Sequence, residues 1–135
     1  MDGLGSLVSD FLFLLQDSSS SDLSLLCPDG QVEVHRLVMS ARSPVFSSML
    51  NSDMVEKTTG TIKIGDFKIE VVKAMVHYIY TAKIEDLFED ICDLLVLGDK
   101  YQIKALVEDC SKKLIQSISR SNALELGAFA LIHSI

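Results

Sequence analysis

The chain has 135 residues, of which 48% are hydrophobic and 23% are charged, and its formal net charge is −7. A chain of this length forms one domain and removes roughly two thirds of its unfolded surface from water, and its apolar content excludes an intrinsically disordered tail. The acidic excess disfavours nucleic-acid binding, which needs clustered Lys and Arg, and no apolar run reaches the roughly 18 residues of a membrane-spanning helix.

The first predicted element is a helix over residues 4–15, in which apolar side chains cover most of the circumference. Only Ser9 and Asp10 form a polar strip. A helix that is apolar nearly all round must be buried nearly all round, and a terminal helix on one domain has a face left over. We expect that face to meet a second copy of the chain, with a groove of its own domain as the alternative.

Two strands are predicted next, over residues 22–27 and 31–35, and Pro28 and Gly30 lie in the turn between them. Proline presets φ and glycine accepts a positive φ, so the pattern indicates a hairpin. Helical spacing follows His35, and Ser43 before Pro44 predicts the capped start of another helix.

A short β-rich run over residues 61–64 precedes four predicted helices. The expected caps or starts of these helices are Asp66, Asp86, the residues after Tyr101, and Ser121, which would cap a helix running to about Ser134. Glu89 stands three residues after Asp86, which is the spacing of a capping box. The whole order predicts an α+β domain in which helices are in the majority.

The three cysteines lie in apolar contexts and are widely spaced, which favours buried, reduced thiols and therefore the cytoplasm or nucleus; they are Cys27, Cys92 and Cys110. No glycine-rich phosphate loop is present, and the histidines have no metal-ligand spacing. We expect no enzymatic activity, no cofactor and no metal.

Two groups of polar residues have a structural and a functional interpretation. Asp22 and His35 are expected to form a buried structural pair in which the carboxylate accepts an imidazole N–H; a catalytic pair would need a nucleophile that the sequence does not show. An acidic set lies at a predicted helix start. We expect these carboxylates to interact favourably with the helix dipole and to form a solvated face; the alternative is a surface that binds a basic partner. Its members are Glu85, Asp86, Glu89, Asp90 and Asp93.

Four strings together resemble the BTB/POZ family, and the similarity covers residues 7–134. They are DLSLL at 22–26, HRLVMSARSPVF at 35–46, YIYT at 78–81 and GDKY at 98–101. The chain is most similar to the branch of the family that contains the speckle-type POZ and MATH–BTB proteins. The resemblance implies a BTB domain over residues 4–118, with a small hairpin-containing sheet capped by helices. Residues 119–135 resemble the first helix of a 3-box extension, which is truncated here.

The resemblance also implies a homodimer, built partly by the first helix, with matching apolar positions at Leu7, Phe11, Leu14 and Val38. It further implies binding to the N-terminal domain of cullin-3, as the substrate adaptor of a RING ubiquitin ligase. The family's hydrophobic-x-Glu motif corresponds to Met54, Val55 and Glu56, where Met54 would fill an apolar pocket and Glu56 would help to fix the loop. The residues expected near the contact face are Phe46, Asp99 and Tyr101.

The sequence is also compatible with two other functions. A BTB dimer can recruit transcriptional corepressors through a groove at the dimer interface, and a third reading is self-association without a cullin. The motif around Met54 and the 3-box-like tail favour the adaptor. Substrates would then bind only through a domain that this chain does not contain, and we expect no nucleic-acid or membrane partner.

Overall fold

The structure is a computed structural model that describes residues 3–51, 60–85 and 88–121, with residues 119–121 described as backbone only. Within these ranges it has six α-helices, three strands and one 3₁₀ turn. In chain order they are α1 (Gly3–Gln16), the turn Ser18–Ser20, β1 (Leu23–Cys27), β2 (Gly30–Val34), α2 (Arg36–Arg42), α3 (Pro44–Asn51), β3 (Thr61–Lys63), α4 (Ile69–Thr81), α5 (Ile91–Lys100) and α6 (Lys104–Ser121). The predicted α+β class is confirmed.

The three strands form one mixed sheet in the order β2–β1–β3. β1 pairs antiparallel with β2, with Leu25 opposite Val32, and parallel with β3, with Leu25 also opposite Ile62. The predicted hairpin is therefore present. Its turn needs glycine at Gly30, because φ is +156° there and a Cβ would lie 2.6 Å from Cδ1 of Ile69.

The core lies between the sheet and the helices, and α4 is its central element. Eight of the 13 residues of α4 are buried, because the helix packs against α1, α2, α5 and β2. The alternating residues Leu23 and Leu25 of β1 are 2% and 0% exposed and meet this helical layer. None of the helices within the described ranges is both long and apolar enough to cross a membrane.

Of the helix caps predicted from local signals, the one at Ser43 is confirmed and two others are wrong. The Ser43 hydroxyl accepts the backbone N–H of Phe46 at 3.1 Å, which confirms the cap of α3. α4 begins at Ile69, and its N–H is bound at 3.1 Å by the carboxylate of Asp29 in the hairpin turn, not by Asp66. The expected cap was wrong because the actual acceptor comes from a distant part of the chain.

The predicted capping box of the next helix was also wrong. α5 begins at Ile91, so Glu89 precedes the helix, and Asp90 stands at the N-cap without a side-chain hydrogen bond to the first turn. Asp86 lies outside the described residues, as does the last predicted helix beyond Ser121. The predicted domain boundary at residue 118 falls within α6, which continues to Ser121.

Candidate protein-interaction surface

The first helix presents apolar side chains that the single chain does not cover. No residue of α1 is buried. Its inner side, with Phe11 and Leu14, packs against the core but remains partly accessible. Its other sides expose Leu4, Leu7 and Phe13 by 70%, 52% and 72%. Single exposed apolar side chains are common on protein surfaces, whereas a contiguous group of them marks an interaction surface.

An apolar groove of about 450 Å³ runs between α1, α2 and the end of α4. Leu37, at the start of α2, is 82% exposed beside it. The lining is made mostly of aliphatic and aromatic side chains; it includes Leu4, Leu7, Val8, Phe11, Val38 and Tyr80. We call this surface, together with Leu37, the α1 groove.

Three of the four predicted dimer residues line the α1 groove, namely Leu7, Phe11 and Val38. Leu14 does not, although it belongs, like Phe11 and Val38, to the partly buried side chains that pack against the core. The four predicted dimer residues do not include Leu4 or Leu37, which also line the α1 groove.

Tyr80, which lines the α1 groove, is hydrogen-bonded to His35. The hydrogen bonds of His35 show that the predicted Asp22–His35 pair is wrong. Both ring nitrogens of His35 contact other residues: Nδ1 lies 2.7 Å from the Tyr80 hydroxyl and Nε2 lies 2.8 Å from the Ser20 hydroxyl. The Asp22 carboxylate instead accepts the backbone N–H of Arg36 at 2.7 Å. The carboxylate therefore helps to satisfy the N-terminus of α2 instead of the imidazole.

The residues predicted to bind a cullin fall into three groups. Met54, Val55 and Glu56 lie outside the described residues. Asp99 is exposed near the end of α5. Phe46 and Tyr101 are core residues, 0% and 3% exposed, and their rings stack with centroids 4.3 Å apart.

That stack corrects the expectation that Phe46 and Tyr101 contact a partner directly. Their rings are covered by the chain itself, so their effect on any partner would be indirect. The backbone beneath them is also fixed, because the buried Ser43 hydroxyl donates to the Tyr101 carbonyl at 2.7 Å while it caps α3. The sequence placed these residues close together but could not distinguish the core from the surface.

The three cysteines differ in burial, so the expectation of three buried thiols was wrong for one of them. Cys110 is buried and Cys27 is partly buried, whereas Cys92 is exposed on α5. Burial raises the pKa of the Cys110 thiol to about 11, and it also raises the pKa of Cys27. Both therefore stay protonated and unreactive near neutral pH.

The described residues hold no group of three or more His, Cys, Asp or Glu side chains that could bind a metal ion. The acidic residues around the start of α5 are partly or fully exposed where the structure describes them, and Asp93 lies in its first turn. That position is favourable for a carboxylate near the positive end of a helix.

A small mixed sheet under a helical layer, with an uncovered apolar helix beside a groove, defines a protein-interaction module. The BTB/POZ domain model matches residues 12–118, and the chain belongs to that family. BTB domains mediate dimerisation and other protein interactions.

Curated relatives come from plants and animals. A BTB/POZ domain-containing protein of Arabidopsis thaliana is 40% identical over 76% of this chain and 42% of its own length. TD and POZ domain-containing protein 4 of Mus musculus is 34% identical over 96% of this chain and 35% of its own. BTB and MATH domain-containing protein 42 of Caenorhabditis elegans is 31% identical over 85% and 29%. The chain thus spans less than half the length of these relatives.

Proposed function

We propose that this chain is a homodimeric BTB domain of the branch that includes the speckle-type POZ protein, and that it forms the cullin-3-binding part of a ubiquitin-ligase substrate adaptor. Two surfaces carry this function. The α1 groove would join two copies, and the segment that contains Met54, with the exposed residues near Asp99, would bind the N-terminal domain of cullin-3. Substrates would be selected by another part of a longer protein.

The observation that carries the dimer is that α1 has no buried residue although eight of its 14 residues are Leu, Val or Phe. Such a helix cannot complete its burial within the described part of one chain. A second copy offers the same groove and the same helix, so a two-fold contact covers both at once. The groove belongs to a chain whose family mediates dimerisation, which supports the same occupant.

Two observations support binding to cullin-3: the Met54-Val55-Glu56 motif, and the kinds of protein to which the chain is similar. The animal relatives include proteins whose names combine a POZ or BTB domain with a TD or MATH domain. In the described neighbourhood, α3 is held by the Ser43 cap and the Phe46–Tyr101 stack. These contacts hold α3, the helix that precedes the segment containing Met54 in the chain.

Calorimetric titration with the N-terminal domain of cullin-3 tests the adaptor. We expect saturable binding of one cullin domain per chain, with an affinity between nanomolar and micromolar. Met54→Arg removes an apolar anchor and should cost about 2 kcal/mol or more, which weakens binding by roughly 30-fold.

Leu7→Asp is the matched control, because it places a charge on the other proposed surface. It should give a monomer that still binds one cullin domain per chain with unchanged affinity. Binding by Met54→Arg at wild-type affinity would contradict the role of Met54. A folded dimer that does not bind the cullin domain would contradict the adaptor and favour a module that recruits corepressors.

A further inference from the structure

The backbone hydrogen bonds of β1 show which of its groups face β2. The Ser24 N–H donates to the Gly60 carbonyl at 2.8 Å, and the Ile64 N–H donates to the Leu26 carbonyl at 2.7 Å, so Ser24 and Leu26 bond on the β3 side. The N–H and C=O of one strand residue lie on the same side, and successive residues alternate between the two sides. Residues 23, 25 and 27 therefore direct their backbone groups at β2.

The register then shows that β2 has an open outer edge. Leu25 lies opposite Val32, so Val32 bonds to β1, and its neighbours Gln31 and Glu33 direct their N–H and C=O groups outward. Within the described residues, no backbone hydrogen bond outside the strand pairing involves Gln31 or Glu33. Two donors and two acceptors thus remain at this edge, which is the arrangement that allows a further strand to join a sheet.

A cavity of about 540 Å³ lies beside this open edge. It is lined by residues 31–33 of β2, by the end of α1, and by Val76 and His77 of α4. Lys73 and Glu85 also line it, and their opposite charges balance. We call the open edge and this cavity the β2 groove. It has no lining residue in common with the α1 groove, so the two are separate surfaces.

One wall of the β2 groove contains a polar side chain without a partner. Both ring nitrogens of His77 are buried and have no hydrogen-bond partner among the described residues. Polar groups that are buried and left unpaired are costly. An occupant with its own backbone N–H and C=O groups offers partners to this imidazole, whereas a purely apolar occupant does not.

The side chains of β2 favour a basic occupant. Leu25 faces the helices, so Ser24 and Glu33 lie on the other face of the sheet, where the Ser24 hydroxyl donates to the Glu33 carboxylate at 2.8 Å. The Gln31 amide also donates to this carboxylate at 2.8 Å. A residue that joins the sheet opposite Glu33 has its side chain beside the carboxylate, and opposite charges at such positions attract. The next residue along has its side chain in the cavity beside Val32.

We propose that the β2 groove binds an extended basic peptide of a partner protein, which joins the sheet as an antiparallel fourth strand beside β2. The peptide alternates Lys or Arg, opposite Glu33 and Gln31, with aliphatic residues that enter the cavity near Leu15 and Val76. A second copy of the chain is a poorer occupant, because it would bring another Glu33 and a net charge of −7 to this edge.

The probe is the peptide acetyl-Val-Lys-Val-Lys-Val-amide, titrated into the isotope-labelled full chain and followed by calorimetry and NMR. In the free chain, the amides of Gln31 and Glu33 should exchange with solvent at least about tenfold faster than that of Val32, which is bonded within the sheet. The peptide should bind with a dissociation constant below about 1 mM and slow both exchanges at least about tenfold. If both amides are as protected as Val32 in the free chain, the edge is already covered by residues 122–135 or by a second copy, which would overturn the proposal.

Methyl groups on the peptide nitrogens distinguish strand pairing from simple attraction. In an antiparallel strand, the lysines opposite Gln31 and Glu33 exchange hydrogen bonds with them, whereas the valine N–H groups point away from β2. Methylation of both lysine nitrogens should therefore weaken binding at least about tenfold, and methylation of the last two valine nitrogens should weaken it less than about threefold. Equal affinities of the two methylated peptides, or the reverse order, would overturn the added strand.

Substitutions in β2 test the same contacts from the side of the chain. Gln31→Pro removes an outward N–H, and proline is tolerated at such edge positions. It should weaken binding at least about tenfold relative to Gln31→Ala, which keeps the N–H. A dichroism spectrum checks that Gln31→Pro is folded; if it is not, the methylated peptides decide the question. Equal affinities of the two folded variants would contradict the strand.

The charge preference has its own control. Glu33→Gln should weaken binding of the lysine peptide about threefold, because one opposed pair of charges is lost. The peptide acetyl-Val-Glu-Val-Glu-Val-amide has the same apolar residues and the opposite charge, so the wild-type chain should bind it more weakly. Equal or tighter binding of the glutamate peptide would overturn the basic partner.

Discussion

Leu7 is the most direct place to test how the α1 groove is used. It is 52% exposed in the single chain, so a substitution there leaves the core intact. Full burial of a leucine side chain is worth about 1.5–3 kcal/mol, and covering the exposed half is therefore worth about 1 kcal/mol per chain. A two-fold interface contains the residue twice, so Leu7→Ala should cost the dimer about 2 kcal/mol, which raises its dissociation constant by roughly 30-fold.

Leu7→Asp should have a larger effect, because the carboxylate would also lose its water in an apolar contact. Sedimentation equilibrium over a range of concentrations measures both variants, and a far-ultraviolet dichroism spectrum shows that each remains folded. Ser9→Asp adds the same charge to an exposed position of α1 outside the groove and should leave the dimer unchanged. A dissociation constant within about twofold of wild type for Leu7→Ala would refute the groove as the interface.

Three further substitutions test the interior that supports these surfaces. Ser43→Ala removes both the α3 cap and the hydrogen bond to the Tyr101 carbonyl. It should lower the free energy of unfolding, measured by urea titration, by about 1–3 kcal/mol. Ser48→Ala, at an exposed position of the same helix, should change it little. Gly98→Ala would bring a Cβ within 3.0 Å of a buried leucine of α6. It should cost about 1–3 kcal/mol by the same assay, while Gly65→Ala meets open space and should not. Burial raises the pKa of Tyr80 from 10.0 to about 12. Stability should therefore fall between about pH 10 and about pH 12, by at most about 3 kcal/mol, and less in Tyr80→Phe.

Elements whose signals are local could be predicted from the sequence. The hairpin follows from Pro28 and Gly30, and the start of α3 follows from Ser43 and Pro44. The surplus of apolar surface on α1 also follows from its sequence, because no single face of one helix can bury so many leucines and phenylalanines. The sequence could not assign each residue of α1 to a side, so it did not distinguish Leu14, which does not line the α1 groove, from Leu7 and Phe11, which do.

Features that depend on distant partners could not be predicted. The first N–H of α4 is bound by Asp29, 40 residues earlier, and His35 is bound by Tyr80, 45 residues later. A capping pattern within a few residues carries no information about such acceptors. The same limit explains why Phe46 and Tyr101 were expected at the cullin-binding face. They are distant in the chain, and the sequence does not show that their rings stack and are buried in the core.

The mass of the complex with the N-terminal domain of cullin-3, measured by light scattering after size-exclusion chromatography, tests the central claim most directly. Each chain contributes 14.9 kDa. The proposed adaptor predicts a complex of two chains and two cullin domains. Leu7→Asp should reduce it to one of each, and Met54→Arg should shift the mass towards that of the free dimer. A complex with one chain and one cullin domain in the wild type would contradict the dimer, and separate elution of the two proteins would contradict the adaptor.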